Sequence, residues 1–162
     1  MSKFRRLAAM IALGFVLLAC SGGAEGESPA AKGFPAMDSA GLDTYLAQSA
    51  GKPSILFFWT TWCPSCKQQI AEMERLHASR GADVNILSIS LDEDEAALHA
   101  FFKDKATTLP VFHGDQSLAA RFKVEAIPTL AVFDAGGNQI FSRAGVFPLP
   151  MLEALADQLT SR

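Results

Sequence analysis

The chain is short of the features that announce most functions. Its 162 residues include only three cysteines, three histidines, two tryptophans and one tyrosine. Three cysteines leave no room for a framework of several disulfides. The histidines, His77, His99 and His113, are scattered, and none reads as a catalytic base. Charge of either sign forms no long run, with 14 basic residues against 17 acidic ones, so a nucleic-acid surface is excluded and no such partner is expected. The apolar run Leu7–Ala19 stops at 13 residues, short of the ~20 that a membrane span needs. No internal repeat is visible. What remains, 49% apolar, suits one compact domain rather than two.

The first twenty residues belong to a different regime from the rest. Lys3, Arg5 and Arg6 precede the apolar run, the pattern of a secretory signal. The run closes on Leu17-Leu18-Ala19-Cys20, which resembles the lipobox of bacterial lipoproteins, although Leu18 is a less usual residue at its place. That resemblance implies removal of residues 1–19, lipidation of Cys20, and a membrane attachment through the lipid. Ser21 after the anchor implies transport to an outer membrane where the organism has one. An ordinary cleaved signal with an incidental cysteine, or an uncleaved anchor, is the other reading. Residues 20–33 are small and polar and read as a flexible tether, leaving 34–162 as the folded domain.

With Cys20 set aside, Cys63 and Cys66 are the one pair left. They lie in Trp59-Thr-Thr-Trp-Cys-Pro-Ser-Cys-Lys67, between the apolar run Ser54–Trp59 and an amphipathic segment reaching about Arg80. The spacing lets the sulfurs meet in a small disulfide ring. A strand-to-helix junction gives Cys63 the free N–H groups and positive dipole end of the helix, which can lower a thiol from ~8.5 into the range ~3.5–7.5. A disulfide closing so short a loop adds little stability, so exchange chemistry explains the pair better than stapling. Half of a zinc site remains the alternative for the pair alone.

The unalternated run Ser54–Trp59 predicts a central strand covered on both faces. Before it, Phe34–Met37 reads as a short edge strand and Leu42–Gln48 as a short helix. After the cysteines, Ile70, Met73 and His77, with Leu76 beside them, form a helical stripe. Val84–Leu91 is the next strand. Asp92 and Glu95 have the spacing of a helix cap before Leu98, Phe101 and Phe102. Leu109–Phe112 predicts a short strand, and Asp115 caps a helix carrying Leu118 and Phe122. Thr129–Phe133 and Gln139–Val146 form a hairpin about Ala135–Asn138. Pro150 starts a last helix with Met151, Leu152, Leu155 and Leu159 on one side. This order predicts an α/β fold whose mixed central sheet is flanked by helices.

Trp62-Cys63-Pro64-Ser65-Cys66 after an apolar strand, with Ile127-Pro128-Thr129 before the hairpin, resembles the thioredoxin fold over roughly residues 50–162. The resemblance implies a cis Pro128 facing the cysteines. From Cys63 to Pro128 is 65 residues, about twenty more than plain thioredoxins have, which places an extra helix and strand before the cis-proline motif, near Asp92–Gly114. Such an insertion, with a signal and anchor, resembles the TlpA-like membrane-attached disulfide reductases. That group's properties imply reduction of protein disulfides outside the cytoplasm, often toward cytochrome c maturation, with electrons from a membrane thiol transporter. Three positions depart from the pattern. Phe57 stands where thioredoxins carry a buried Asp, Gln69 where TlpA-type relatives often carry Glu, and Ala71 where a helix proline is usual. The first two remove the expected base for Cys66, leaving water, Glu72 or Glu125.

Cys63 is then the candidate nucleophile and Cys66 the resolving thiol. Trp62, Pro64, Ile127 and Pro128 are the candidate substrate-binding residues: Trp62 as a rim beside the sulfur, Pro64 in the first helical turn, and Ile127 pairing its backbone with an extended substrate. Trp59 reads as core, and Gly145 as a residue letting the site approach closely. Ser65 places no cation between the cysteines, which favours a reducing protein. No cofactor and no metal are expected, and a monomer is. Two other functions compete: a copper chaperone using both cysteines and His113, and a thiol peroxidase suggested by Thr60. Copper chaperones usually separate their cysteines by three residues, and the peroxidase proline is Leu56 here.

Overall fold

Six consecutive residues, Ser54–Trp59, are all buried, with side chains alternating between two apolar layers. In the computed structural model this strand lies inside a six-stranded sheet that organises residues 33–161, the part the structure describes. The signal segment 1–19, Cys20 and tether residues 21–32 fall outside the described residues.

In chain order the elements are β1 (Ala36–Met37), α1 (Ser39–Gln48), β2 (Ser54–Trp59), α2 (Pro64–Arg80), β3 (Asn85–Ser90) and α3 (Glu95–Phe102). There follow β4 (Val111–Gly114), α4 (Gln116–Arg121), β5 (Thr129–Phe133), β6 (Gln139–Ala144) and α5 (Leu149–Thr160). The sheet order is β1-β4-β3-β2-β5-β6. The first four are mutually parallel, as helical crossovers require, while β5 and β6 run antiparallel as the hairpin does. The chain thus adopts a thioredoxin-like α/β fold, with α3 and β4 as the additional helix and strand before Pro128.

Period-two alternation divides the core. Ile55, Phe57 and Trp59 face the layer formed by α2, α3 and α5, where Met73, Leu76, Leu98, Leu152 and Ala156 pack. Leu56 and Phe58 face α1 and α4, meeting Leu42, Leu46, Leu118 and Phe122. The cysteines belong to the first layer.

Several local expectations shift. Helix α1 starts three residues earlier than expected, at Ser39, because Asp38 caps it by accepting the Gly41 N–H at 2.6 Å. Helix α3 is capped by Asp94, which accepts the Ala96 N–H at 2.9 Å, and not by Asp92. Strand β4 begins after Pro110, which has no N–H to give the ladder. Strand β6 stops at Ala144 rather than Val146, because Gly145 takes φ +134° and breaks the extended run. His77 is half-buried, the inward stripe of α2 being Cys66, Gln69, Ile70, Met73 and Leu76. Met151 is exposed, and Ala156 takes the inward place on α5.

Candidate active site at the tip of helix α2

Cys63 is the N-cap of α2, with extended backbone (φ −81°, ψ 115°), and Pro64 follows in the first turn. Pro64 suits that place because its missing N–H would find no helical partner there. One turn on, Cys66 is fully buried and its N–H donates to Cys63 Sγ at 3.2 Å. The two residues are joined as a disulfide, with Cα atoms 5.2 Å apart. The Ser65 hydroxyl lies 3.3 Å from Cys63 Sγ. A thiolate at Cys63 would therefore meet a backbone donor, a hydroxyl and the positive end of a 17-residue helix.

Across from the sulfur is the loop that precedes β5. The Ile127–Pro128 peptide is cis, and Cys63 Sγ lies 3.9 Å from the Ile127 carbonyl oxygen. Gly145, just past the end of β6, donates its N–H to the Pro128 carbonyl at 2.9 Å, and the Thr129 hydroxyl donates to Ala126 O at 2.7 Å. Around the sulfur, Trp62 and Pro64 are exposed and Ile127 is half-buried, while Cys63 itself keeps 3% of its surface. The structure so brings together Cys63, Cys66, Pro64, Ile127 and Pro128, with Trp62 projecting 70% exposed beside Cys63. Gly145 meets a backbone requirement and not a steric one: a Cβ there would find nothing within 4 Å, but its φ is one that side chains disfavour.

Neutral groups line the protein behind the cysteines. Phe57 is buried and stacks on Trp59, ring centroids 6.1 Å apart. Gln69 is also fully buried, and its amide grips the backbone of Phe147 from both sides: Nε2 donates to the Phe147 carbonyl at 3.2 Å, and Oε1 accepts the Phe147 N–H at 2.6 Å. A carboxylate at this position could accept but not donate. Glu72 is committed elsewhere, pairing with Arg75 and accepting the Leu149 N–H at 2.9 Å, and Glu125 is exposed. His113 Nε2 is 2.7 Å from the Asp92 carbonyl oxygen, and His99 is exposed beside Glu95 at 3.3 Å. Glu95 accepts the Phe34 N–H, which holds its carboxyl below the usual range, with His99 adding to the effect. Among the described residues no cluster of three or more metal-ligating side chains occurs.

Two roles in the site escaped the sequence reading, the grip of Gln69 on Phe147 and the part played by Asp92. Asp92, assigned to a helix cap, is buried and receives Thr61, two positions before Cys63. Nothing in its spacing distinguishes that role from a cap.

A disulfide-bonded cysteine pair at a helix N-terminus, opposite a cis-proline loop on this sheet, marks a thioredoxin-like thiol–disulfide oxidoreductase. Residues 28–138 match the AhpC/TSA family, and the chain belongs to that family. It is 29% identical over 114 residues to the "Thioredoxin-like protein YneN" of Bacillus subtilis, covering 68% of this chain and 67% of that protein. It is 27% identical over 116 residues to the "Thiol-disulfide oxidoreductase ResA" of the same organism, covering 70% and 65% respectively. The chain thus spans about two thirds of the length of these relatives. Among solved structures, the exposed lipoprotein thioredoxin Etrx1 of Streptococcus pneumoniae superposes with a TM-score of 0.64 at 24% identity, over 70% of this chain and 90% of that one. That likeness is one of fold.

Proposed function

We propose that the chain reduces disulfides of other proteins outside the cytoplasm, with Cys63 as nucleophile and Cys66 as resolving thiol. The observation that carries this reading is the placement of Cys63 Sγ at the α2 tip, 3.9 Å from the carbonyl oxygen of Ile127. The Cys63 thiolate attacks one sulfur of a substrate disulfide, forming a mixed disulfide and expelling the other substrate sulfur as thiolate. Cys66, having lost its proton, then attacks Cys63 Sγ, releasing the second substrate thiol and closing the Cys63–Cys66 disulfide. Two electrons pass to the substrate, and an external dithiol returns the protein to its reduced form. Trp62, Pro64, Ile127 and Pro128 surround the sulfur and supply the substrate surface, with the Ile127 backbone pairing an extended segment.

Direction follows from what surrounds the sulfur. The groups touching Cys63 Sγ are neutral, Ser65 among them, so the thiolate gains less than it would beside a cation. A less stabilised thiolate favours the disulfide form and makes the protein a reductant.

Localisation rests on the basic start, the apolar run and Leu17-Leu18-Ala19-Cys20. In this reading residues 1–19 are a signal, Cys20 carries lipid, and 20–33 tether the domain 34–162 to a membrane, the outer one where Ser21 permits. The TlpA-like assignment, a membrane thiol donor and a part in cytochrome c maturation complete the proposal; the structural neighbour Etrx1 is itself an exposed lipoprotein.

The test is insulin reduction together with a redox titration. Cys63→Ala abolishes turnover, Cys66→Ala accumulates mixed disulfides, and the wild type equilibrates nearer ~−270 mV than ~−120 mV. Retained turnover in Cys63→Ala would overturn the assignment.

A further inference from the structure

The link from β2 to α2, Thr60-Thr61-Trp62, sets where Cys63 sits, yet it has little to hold it. Trp62 is exposed, and the Cys63 N–H reaches Thr60 O only at 3.4 Å. Thr61 is the exception. Its N–H donates to both oxygens of Asp92, at 2.9 Å to Oδ2 and 3.2 Å to Oδ1, and its hydroxyl donates to Oδ1 at 2.8 Å. Asp92 comes from two residues beyond β3 and is itself held firmly. Its Oδ2 accepts the buried Ser90 hydroxyl at 2.7 Å, its N–H donates to Ser90 Oγ at 3.1 Å, and its carbonyl meets His113 Nε2 at 2.7 Å. Only 6% of Asp92 is exposed, although a carboxyl group is costly to bury. Neighbouring α3 does not use it, since Asp94 provides that cap.

We propose that Asp92 is a positioning residue for exchange at Cys63: by clamping Thr61 it fixes the β2–α2 link and keeps the sulfur on the helix tip facing Ile127. The inference rests on the reading of Cys63 as the nucleophile. When the clamp is released, Thr61 to Cys63 drift, and the sulfur loses both the Cys66 N–H at 3.2 Å and its alignment with the cis-proline loop. A displacement of about 1 Å in a reacting group can cost on the order of a hundredfold in rate.

Three variants separate the clamp from charge and from folding. Asp92→Ala removes every acceptor. Asp92→Asn keeps Oδ1, which still receives the Thr61 hydroxyl at 2.8 Å and the longer N–H contact at 3.2 Å; the 2.9 Å acceptor Oδ2 becomes an amide donor, to which the Ser90 hydroxyl can turn to accept. Thr61→Val deletes the hydroxyl donor from the other side. Each is followed by kcat/KM for insulin reduction and by the pH midpoint of iodoacetamide alkylation of Cys63, at a temperature where circular dichroism shows the fold intact.

Asp92→Ala is expected to lower kcat/KM at least about tenfold and to move the alkylation midpoint upward. Asp92→Asn, which keeps two of the three Thr61 contacts, is expected to recover part of both, and Thr61→Val to fall between Asp92→Ala and the wild type. A folded Asp92→Ala protein with wild-type rate and midpoint overturns the proposal, and so does an Asp92→Asn protein as impaired as Asp92→Ala, which would show charge acting and not the clamp. Should Asp92→Ala not fold, Thr61→Val decides: unchanged rate and midpoint overturn it. The alkylation midpoint is read without any substrate, so a wild type that fails to reduce insulin sinks the nucleophile reading while leaving the clamp separately measurable.

Discussion

Replacing Gln69 with leucine tests whether the neutral residue behind Cys66 is a bonded clamp or merely filler. Its amide makes two hydrogen bonds to Phe147, one donated and one accepted, and Phe147 links β6 to α5 from within the core. Leucine fills similar space but leaves the Phe147 N–H and C=O without partners. Each buried orphan costs ~1–3 kcal/mol, or roughly 2–6 for the pair. Added apolar burial returns about 1–2 kcal/mol. The net loss runs from about 0 to 5 kcal/mol with a central expectation of about 2–3, a sizeable share of the ~5–15 typical of a domain. Guanidinium unfolding of the oxidised protein, followed by far-UV circular dichroism, measures it as a lower midpoint at unchanged slope. Gln69→Glu supplies the sign. Only its protonated form can donate to the Phe147 carbonyl, so burial raises the new carboxyl above its unfolded value near ~4.3. Its stability relative to the wild type is therefore fully kept below ~pH 4 and falls as pH rises through the raised folded pKa. The Leu variant carries no such slope. A Leu variant within about 0.5 kcal/mol of the wild type, or a Glu variant whose deficit is the same at pH 4 and pH 8, would refute the reasoning.

Two further outcomes are expected. Because the Phe34 N–H holds the Glu95 carboxyl low, its contribution is present above the unfolded carboxyl value and is lost as pH falls through the folded one. Glu95→Gln should flatten that part of the acid-unfolding curve, and an unchanged curve would count against the bond. Gly145→Ala has space for its methyl, yet its φ of +134° should make it cost about 1–3 kcal/mol in urea unfolding. A neutral result would mean the backbone relaxes freely there.

Where one physical preference dominated, the sequence was sufficient. Ser54–Trp59 admits no reading but a strand buried on both faces, and the observed bounds are the same six residues. Pro64 after Cys63 likewise had one cheap conformation. Boundaries slipped where two weak signals competed. Asp92 and Asp94 are both able to cap, and the choice fell to the residue with no other claim on its carboxyl. His77 and Gln69 show the same limit in α2. Helical spacing puts both close to the apolar stripe, and a buried glutamine looks unfavourable until the backbone it binds, 78 residues away, comes into view.

The site divides along that line. The cysteines and the cis-proline motif could be located because each is a short local pattern with a chemical reason for its spacing. Asp92 and Gln69 could not, because each acts on a loop from a distant part of the chain: Asp92 on Thr61, 31 positions earlier, and Gln69 on Phe147. These two residues hold opposite sides of the active site, one behind the link that carries Trp62 and Cys63, the other behind the Gly145–Phe147 turn that touches Pro128. Neither resembles a motif, since what matters is the number of donors and acceptors presented to a backbone already in place. The reacting sulfurs are therefore legible in one dimension, while the groups that aim them become legible only when the register of β2 against β3 and of α2 against α5 is known.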